Sequence, residues 1–173
     1  MSTSEHNLTG ERADLLETLA KHRSFLRYTV RDLTDEQAAQ RPTASELCLG
    51  GLIKHVTVGE RQWVDFILDG PSAMDHGKDW QVGDWLDIFR MRDDETLAGV
   101  LAEYEQVAGR TDQIVATLPD LDAAHPLPTA AWFDPDASWS ARRVLLHLIA
   151  ETAQHAGHAD ILRETLDGAK SMG

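Results

Sequence analysis

Three histidines and one glutamate cluster in the stretch HLIAETAQHAGHAD, residues 147–160. His147, Glu151 and His155 are spaced four residues apart, and four residues of an α-helix turn a side chain by a net angle of only about 40°. His158 follows His155 by about one further turn, so neighbouring side chains lie close enough to share one ion. Imidazole nitrogens and carboxylate oxygens are good ligands for a borderline divalent metal such as zinc. The spacing therefore predicts a metal site on one helix face.

A single histidine on a helix is more often a core or surface residue than a metal ligand, so the prediction depends on the cluster. His155 falls on the apolar seam of its helix, where an unpartnered imidazole costs a hydrogen bond, and Glu151 lies beside that seam. A bound metal or mutual pairing satisfies both side chains. A third ligand must come from elsewhere in the chain, and a catalytic zinc also keeps an open position.

The segment GGLIKHVTVGERQW, residues 50–63, offers a further candidate in His55. Gly59 lies one turn after His55 and removes side-chain bulk at that point. Because glycine costs about 1 kcal/mol relative to alanine inside a helix, its presence indicates a packing or site requirement. Cys48 has no motif of a catalytic thiol and is interpreted as a small packed residue.

Four helical segments must position these residues. Apolar periodicity predicts helices over about 9–33, 45–68, 93–118 and 140–166. Thr9 and Ser140 are N-cap candidates and Gly168 is a terminator, whereas prolines exclude one helix over 119–139. No pair of strands carries a hairpin signal. We therefore expect an all-α, four-helix bundle forming a single domain over 1–173, with connections long enough for a crossover topology.

The five tryptophans are interpreted as core or loop anchors, some of which line a pocket: Trp63, Trp80, Trp85, Trp132 and Trp139. Trp80 and Trp85 favour an ordered loop after the second helix.

The charge balance excludes some classes of partner. With 16 Lys+Arg against 29 Asp+Glu, the formal net charge is −13. Nucleic acids and anionic membrane surfaces both need clustered basic residues, so neither is an expected partner. The single cysteine excludes an intramolecular disulfide, and no signal peptide or membrane-spanning apolar run is present. These features predict a cytoplasmic protein.

The two histidine-bearing helices make the chain resemble the DinB-like superfamily. The matching motifs are SELCLGGLIKHVTVGERQW and LLHLIAETAQHAGHADILRE. The resemblance extends over nearly the whole chain and implies a four-helix bundle with a crossover connection and a divalent metal at one end. The ligand positions of that family fall on His55, Glu151 and His155. Zn²⁺ is the expected ion, with Ni²⁺ or Fe²⁺ as alternatives.

The chain departs from the commonest pattern of that superfamily, which is His-x-x-x-His followed by Arg-Gly-Gln. Here Glu151 occupies the first position, as in the mycothiol-dependent maleylpyruvate isomerase branch, and Ala156-Gly157-His158 follows the second. His158 is therefore open to three roles, as a ligand, a partner of a ligand or a proton carrier, and it is the candidate catalytic residue. The role of His147 is open in the same way.

The chain is most similar to the actinobacterial mycothiol S-transferase branch. That resemblance implies that the thiol mycothiol is transferred to electrophilic small molecules in detoxification. The chemistry suits the site, because metal coordination deprotonates a thiol whose pKa is otherwise near ~8.5. Two alternatives stay open: another thiol- or metal-dependent isomerase or hydrolase of the superfamily, and a non-enzymatic, stress-related bundle that dimerises. An apolar outer stripe on the first helix favours a homodimer.

Overall fold

The structure is a computed structural model that describes residues 10–74 and 86–171. In chain order its elements are α1 (Glu11–Tyr28), the short α2 (Asp35–Ala39), α3 (Leu49–Asp69), a 3-10 turn (Gly70–Met74), α4 (Leu97–Thr117), β1 (Ala124–Pro126), β2 (Ser138–Ser140) and α5 (Ala141–Asp167). The four long helices confirm the all-α prediction. None of the described helices combines the length and the apolar character needed to cross a bilayer.

The four long helices do not pack in simple chain order. α1 packs mainly against α5, α3 packs against both α4 and α5, and α1 has a smaller contact with α4. The successive long helices α1 and α3 therefore occupy diagonal corners of the bundle, as do α4 and α5. Connections between diagonal corners must cross an end of the bundle, which confirms the predicted crossover topology.

Two helices begin later in the chain than the periodicity predicts. α3 begins at Leu49 because Cys48 acts as its N-cap, with the sulfur 3.3 Å from the backbone nitrogen of Gly51. Cys48 is also buried, in agreement with its interpretation as a packed residue. α4 begins at Leu97, where the hydroxyl of Thr96 accepts a hydrogen bond from the backbone of the first turn. A side-chain cap therefore overrides the apolar pattern at both helix starts.

The other helix limits follow local chemistry. α1 ends at Tyr28, five residues before the predicted limit, and the turns after it include Asp32 with a φ of +58°. The predicted cap Thr9 lies outside the described residues. α5 agrees with its prediction, because Ser140 accepts a hydrogen bond from the Arg143 nitrogen at 3.2 Å and Gly168 ends the helix with a φ of +80°.

A short antiparallel ladder between β1 and β2 corrects the expectation that the chain has no strand pair. His125 pairs with Trp139 at the centre of the ladder. Three-residue strands carry too little periodicity to be recognised in a sequence, and Pro126 argues against a strand. The ladder holds the start of α5, since the Ala141 nitrogen also donates to the Ala123 carbonyl at 3.0 Å.

The apolar core is divided into two clusters. One includes Leu26, Leu52, Tyr104 and Leu162, and the other includes Leu19, Phe66, Val115 and Leu145. Between the two clusters lies a buried polar layer with one residue from each long helix: Arg23, Glu60, Thr111 and Thr152. The metal-site candidates of α3 and α5 lie close to this level of the bundle.

Candidate metal centre

Three predicted ligands from two neighbouring helices come together in the structure. The ligand atoms of His55, Glu151 and His155 all lie within 4.8 Å of one another. The Oε2 atom of Glu151 is 3.9 Å from Nε2 of His55 and 3.6 Å from Nε2 of His155. Ligands about 2.0–2.1 Å from a tetrahedral ion are separated by about 3.3 Å, so small side-chain movements bring the three atoms to coordinating distances. Two imidazoles and one carboxylate form a donor set that zinc commonly accepts.

The local environment favours the protonation states that metal ligands need. Burial lowers the pKa of His55, although Glu151 partly opposes that shift. The imidazoles of His155 and His55 in turn hold the pKa of the Glu151 carboxyl well below its ordinary value. At neutral pH the His55 ring is therefore neutral and the Glu151 carboxylate is ionised. Both side chains then present lone pairs to a cation, and their contact is not an ion pair.

A segment that sequence reasoning missed covers His55. The ring of Phe89 stacks on the His55 ring with centroids 4.0 Å apart and an interplanar angle of 19°. The segment containing Phe89 approaches α3 so closely that a Cβ on Gly51 would overlap the Phe89 carbonyl. A Cβ on Gly50 would likewise overlap the side chain of Met91. The Gly50-Gly51 pair could have indicated a close approach to α3, but two glycines do not reveal which distant segment fills the space.

His158 lies next to a candidate ligand on α5. Its Nδ1 atom is 3.4 Å from Nδ1 of His155, and both side chains are partly buried. The other ring nitrogen of His155 is the one that approaches Glu151. Histidine ligands commonly donate their remaining N–H to a polar neighbour, which fixes the orientation of the ring. His158 is thus placed beside the three candidate ligands and is not grouped with them.

His147 belongs to an aromatic cluster one turn before Glu151. Its ring centroid is 4.9 Å from that of Trp63 and 5.1 Å from that of Trp139. The two tryptophans stack on each other at 4.7 Å, and Phe133 contacts both of them edge-on. We call Trp63, Trp139, Phe133 and His147 the aromatic cluster. Burial among these rings lowers the pKa of His147.

Two histidines that no sequence motif singled out, and the remaining tryptophans, have separate surroundings. His125 contacts the Ile67 carbonyl at 3.2 Å, and His22 is partly buried 6.3 Å from the Phe25 ring. The interpretation of Trp132 as a core or loop anchor is wrong, because this side chain is 80% exposed. The loop tryptophans Trp80 and Trp85 lie outside the described residues.

Two surface clefts, of about 310 and 350 Å³, lie away from the three candidate ligands. Their walls carry charged side chains that pair with one another, such as Arg142 with Glu11 in one and Arg23 with Asp112 in the other. Neither cleft therefore offers an obvious site for the chemistry of the predicted metal centre.

Comparison with known proteins supports both the helical fold and the family that the sequence resembles. The crystal structure of a conserved protein from Enterococcus faecalis has a similar fold, with a TM-score of 0.67, 14% sequence identity, and coverage of 94% of this chain and 100% of that chain. No curated protein matches the chain. The family model described as Mycothiol-S-transferase matches residues 14–168, which include both helices of the candidate centre. The chain belongs to this mycothiol S-transferase family of the DinB-like superfamily and is a thiol S-transferase.

Proposed function

We propose that this transferase works with one divalent metal held by His55, Glu151 and His155, and that Zn²⁺ is the ion best suited to them. The observation that carries the proposal is the convergence of two imidazoles and a carboxylate from α3 and α5 within 4.8 Å. A bound divalent metal lowers the pKa of a coordinated thiol and so makes the nucleophilic thiolate available at neutral pH. Three protein ligands leave an open position on a four-coordinate ion, as in other catalytic zinc sites.

The residues of the chain have separate tasks in this proposal. His55 and His155 bind as neutral imidazoles, and the Glu151 carboxylate supplies one negative charge. Phe89 covers one face of the His55 ring and holds it in place. His158 accepts the Nδ1–H of His155 and thereby orients that ring, so it acts through a ligand.

A transfer assay tests the proposed function. Purified protein is given mycothiol, glutathione or cysteine together with monochlorobimane, and the fluorescent thioether is measured. We expect turnover with mycothiol that depends on added Zn²⁺ after chelation, and loss of most of that turnover in Glu151→Ala. The matched control is Glu164→Ala, an exposed glutamate on the same helix. Full activity in chelated protein, or in Glu151→Ala, contradicts the proposal.

The wider biological role belongs to the same proposal. Transfer of a thiol to electrophiles serves detoxification, and the one cysteine of the chain is buried as a free thiol, as suits a reducing cytoplasm. We also propose a homodimer, although the predicted apolar outer stripe on α1 is wrong, because the exposed residues of that helix are polar apart from Ala20 and Tyr28. The proposal is supported instead by Leu146 and Ile161, which are 46% and 62% exposed on α5. Sedimentation equilibrium tests the dimer, and a monomer at micromolar concentration contradicts it.

A further inference from the structure

Contacts between α3 and α5 place Gly59 opposite Glu151. The His55 ring lies 4.7 Å from the His155 ring, and the Trp63 ring lies 4.9 Å from the His147 ring. Moving forward along α3 therefore corresponds to moving backward along α5, so the two helices are antiparallel. Gly59 is midway between His55 and Trp63, and Glu151 is midway between His155 and His147. Gly59 therefore lies opposite a ligand of the metal centre, and the aromatic cluster follows one turn further along both helices.

Among the described residues, the space at Gly59 is open. A Cβ built there meets none of their atoms within 4 Å, whereas a Cβ on Gly51 overlaps the Phe89 carbonyl. Packing of this part of the chain therefore requires glycine at position 51 but not at position 59. Gly109 and Gly157 have equally open Cβ positions, so the opening alone assigns no role. Gly59 differs from Gly109 in its position, because it lies opposite Glu151 and between His55 and Trp63 on α3.

The opening lies beside Glu151, the proposed metal ligand with the largest exposed fraction. The Glu151 side chain is 39% exposed, whereas those of His55 and His155 are 11% and 13% exposed. Gly59 lies opposite Glu151, so a side chain at position 59 would add bulk beside the ligand with the largest exposed fraction.

The far end of the opening is lined by rings. Trp63 lies one turn beyond Gly59, and His147 lies one turn before Glu151, in contact with each other and with Trp139. Aromatic rings supply flat apolar area with few hydrogen-bonding atoms, which suits a flat apolar group better than one rich in hydroxyls. The occupant favoured here is therefore the ring system of an electrophile.

We propose that the opening over Gly59 is the acceptor site, and that it binds a flat, apolar electrophile between the aromatic cluster and the metal centre. This inference rests on the proposed thiol transfer at that centre. With monochlorobimane as the acceptor, the thiol sulfur forms a bond to the chloromethyl carbon, chloride leaves with the bonding electron pair, and the thiol proton passes to water.

A matched pair of variants tests the acceptor site. Gly59→Val fills the opening, and Gly109→Val places the same side chain in the middle of α4, where a Cβ also meets no atom of residues 10–74 and 86–171 within 4 Å. Each variant is assayed with mycothiol against bicyclic monochlorobimane and against the much smaller iodoacetamide. We expect Gly59→Val to lower kcat/KM for monochlorobimane about tenfold or more, as steric exclusion from a pocket does. The loss of kcat/KM for iodoacetamide should be much smaller, so that Gly59→Val changes the ratio between the two electrophiles. Metal content and the KM for mycothiol should change little, and Gly109→Val should alter neither these quantities nor the ratio.

Binding without turnover separates this inference from the proposed function. The probe is the bimane thioether of N-acetylcysteine, followed by fluorescence polarisation on each purified protein. Weaker binding to Gly59→Val than to Gly109→Val supports the acceptor site, even if wild-type protein proves inactive with mycothiol. Equal binding and equal discrimination between the two electrophiles overturn the inference and leave the proposed function standing. A raised KM for mycothiol in Gly59→Val also overturns it, because the opening would then belong to the thiol.

Discussion

At the scale of single residues, the candidate centre depends on how each side chain is held. The Glu151 side chain lies beside two imidazole rings, those of His155 and His55. Its carboxylate is ionised, because both rings lower its pKa. His55 is neutral because it is buried. His155 approaches Glu151 with Nε2 and His158 with Nδ1, so its two ring nitrogens have different partners. A metal ligand oriented in this way depends on its outer partner as well as on the ion.

Replacing His158 tests that dependence. We expect His158→Ala to retain bound metal but to lower mycothiol transfer about 10- to 100-fold, the usual range for removal of such a partner. His158→Asn should recover part of the activity, because its amide oxygen accepts the same N–H. Metal analysis and steady-state kinetics on both variants give the result. A metal-free His158→Ala would instead make His158 a ligand, and unchanged kinetics would remove it from the mechanism.

At the scale of elements, the segment that carries Phe89 and Met91 forms one wall of the centre. It lies against the first turn of α3, where Gly50 and Gly51 leave room for it. Lys54 fastens the segment through the Arg90 carbonyl at 3.2 Å and through Glu95 at 2.7 Å. The position of the His55 ring therefore depends on a contact between distant parts of the chain.

Gly51→Ala tests this arrangement. The added methyl group overlaps the Phe89 carbonyl, so the segment must move away from α3 and from His55. We expect the free energy of unfolding to fall by about 1–3 kcal/mol, the usual cost of overpacking, and metal affinity to weaken. Gly109→Ala is the control, and in its open helical position it should raise stability by up to about 1 kcal/mol. Urea denaturation and chelator competition give the two quantities, and an equally stable Gly51→Ala contradicts the account.

The part of the site that the sequence predicts is the part with local periodicity. Glu151 and His155 are one turn apart on one helix, so their shared face follows from helix geometry alone. His55 lies on another helix, and its inclusion required resemblance to a known family. Phe89 reaches Gly51 and His55 from a distant part of the chain, and such a tertiary contact leaves no periodic pattern in the sequence. The packing of Phe89 on Gly51 and on His55 therefore could not be predicted.

In the fold, too, features with a local sequence pattern could be predicted and features that depend on distant contacts or caps could not. The four long helices follow from apolar periodicity, and Ser140 and Gly168 also reveal the limits of α5. The late starts of α3 and α4 depend on the caps Cys48 and Thr96, which compete with a continuing apolar pattern. The β1–β2 ladder depends on pairing between short strands that lack a period of their own.

At the scale of the whole molecule, the polar layer between the two core clusters joins three helices. Arg23 of α1 donates to both carboxylate oxygens of Glu60 on α3, and it reaches Asp112 of α4 at 2.9 Å. Thr111 of α4 also donates to Glu60, at 2.6 Å. Glu60 is 1% exposed, so its charge is stable there only because these donors surround it.

Breaking this layer should weaken the whole bundle. In Glu60→Ala the Arg23 guanidinium stays buried without its main partner, and we expect the free energy of unfolding to fall by about 3–5 kcal/mol. The control is Glu103→Ala, which removes an exposed pair with Arg61 and should cost at most about 1 kcal/mol. Urea denaturation followed by circular dichroism compares the two variants. Similar losses in both would contradict the assignment of the layer as a buried structural tie.

The central claim is that His55, Glu151 and His155 hold one divalent metal. The most direct measurement is elemental analysis of protein purified without a histidine tag or chelator, with His155→Ala alongside and His22→Ala as a matched control. The account predicts about one metal ion per chain in the wild type and in His22→Ala, and very little in a folded His155→Ala. Metal that is absent from the wild type, or equally present in all three proteins, would contradict it.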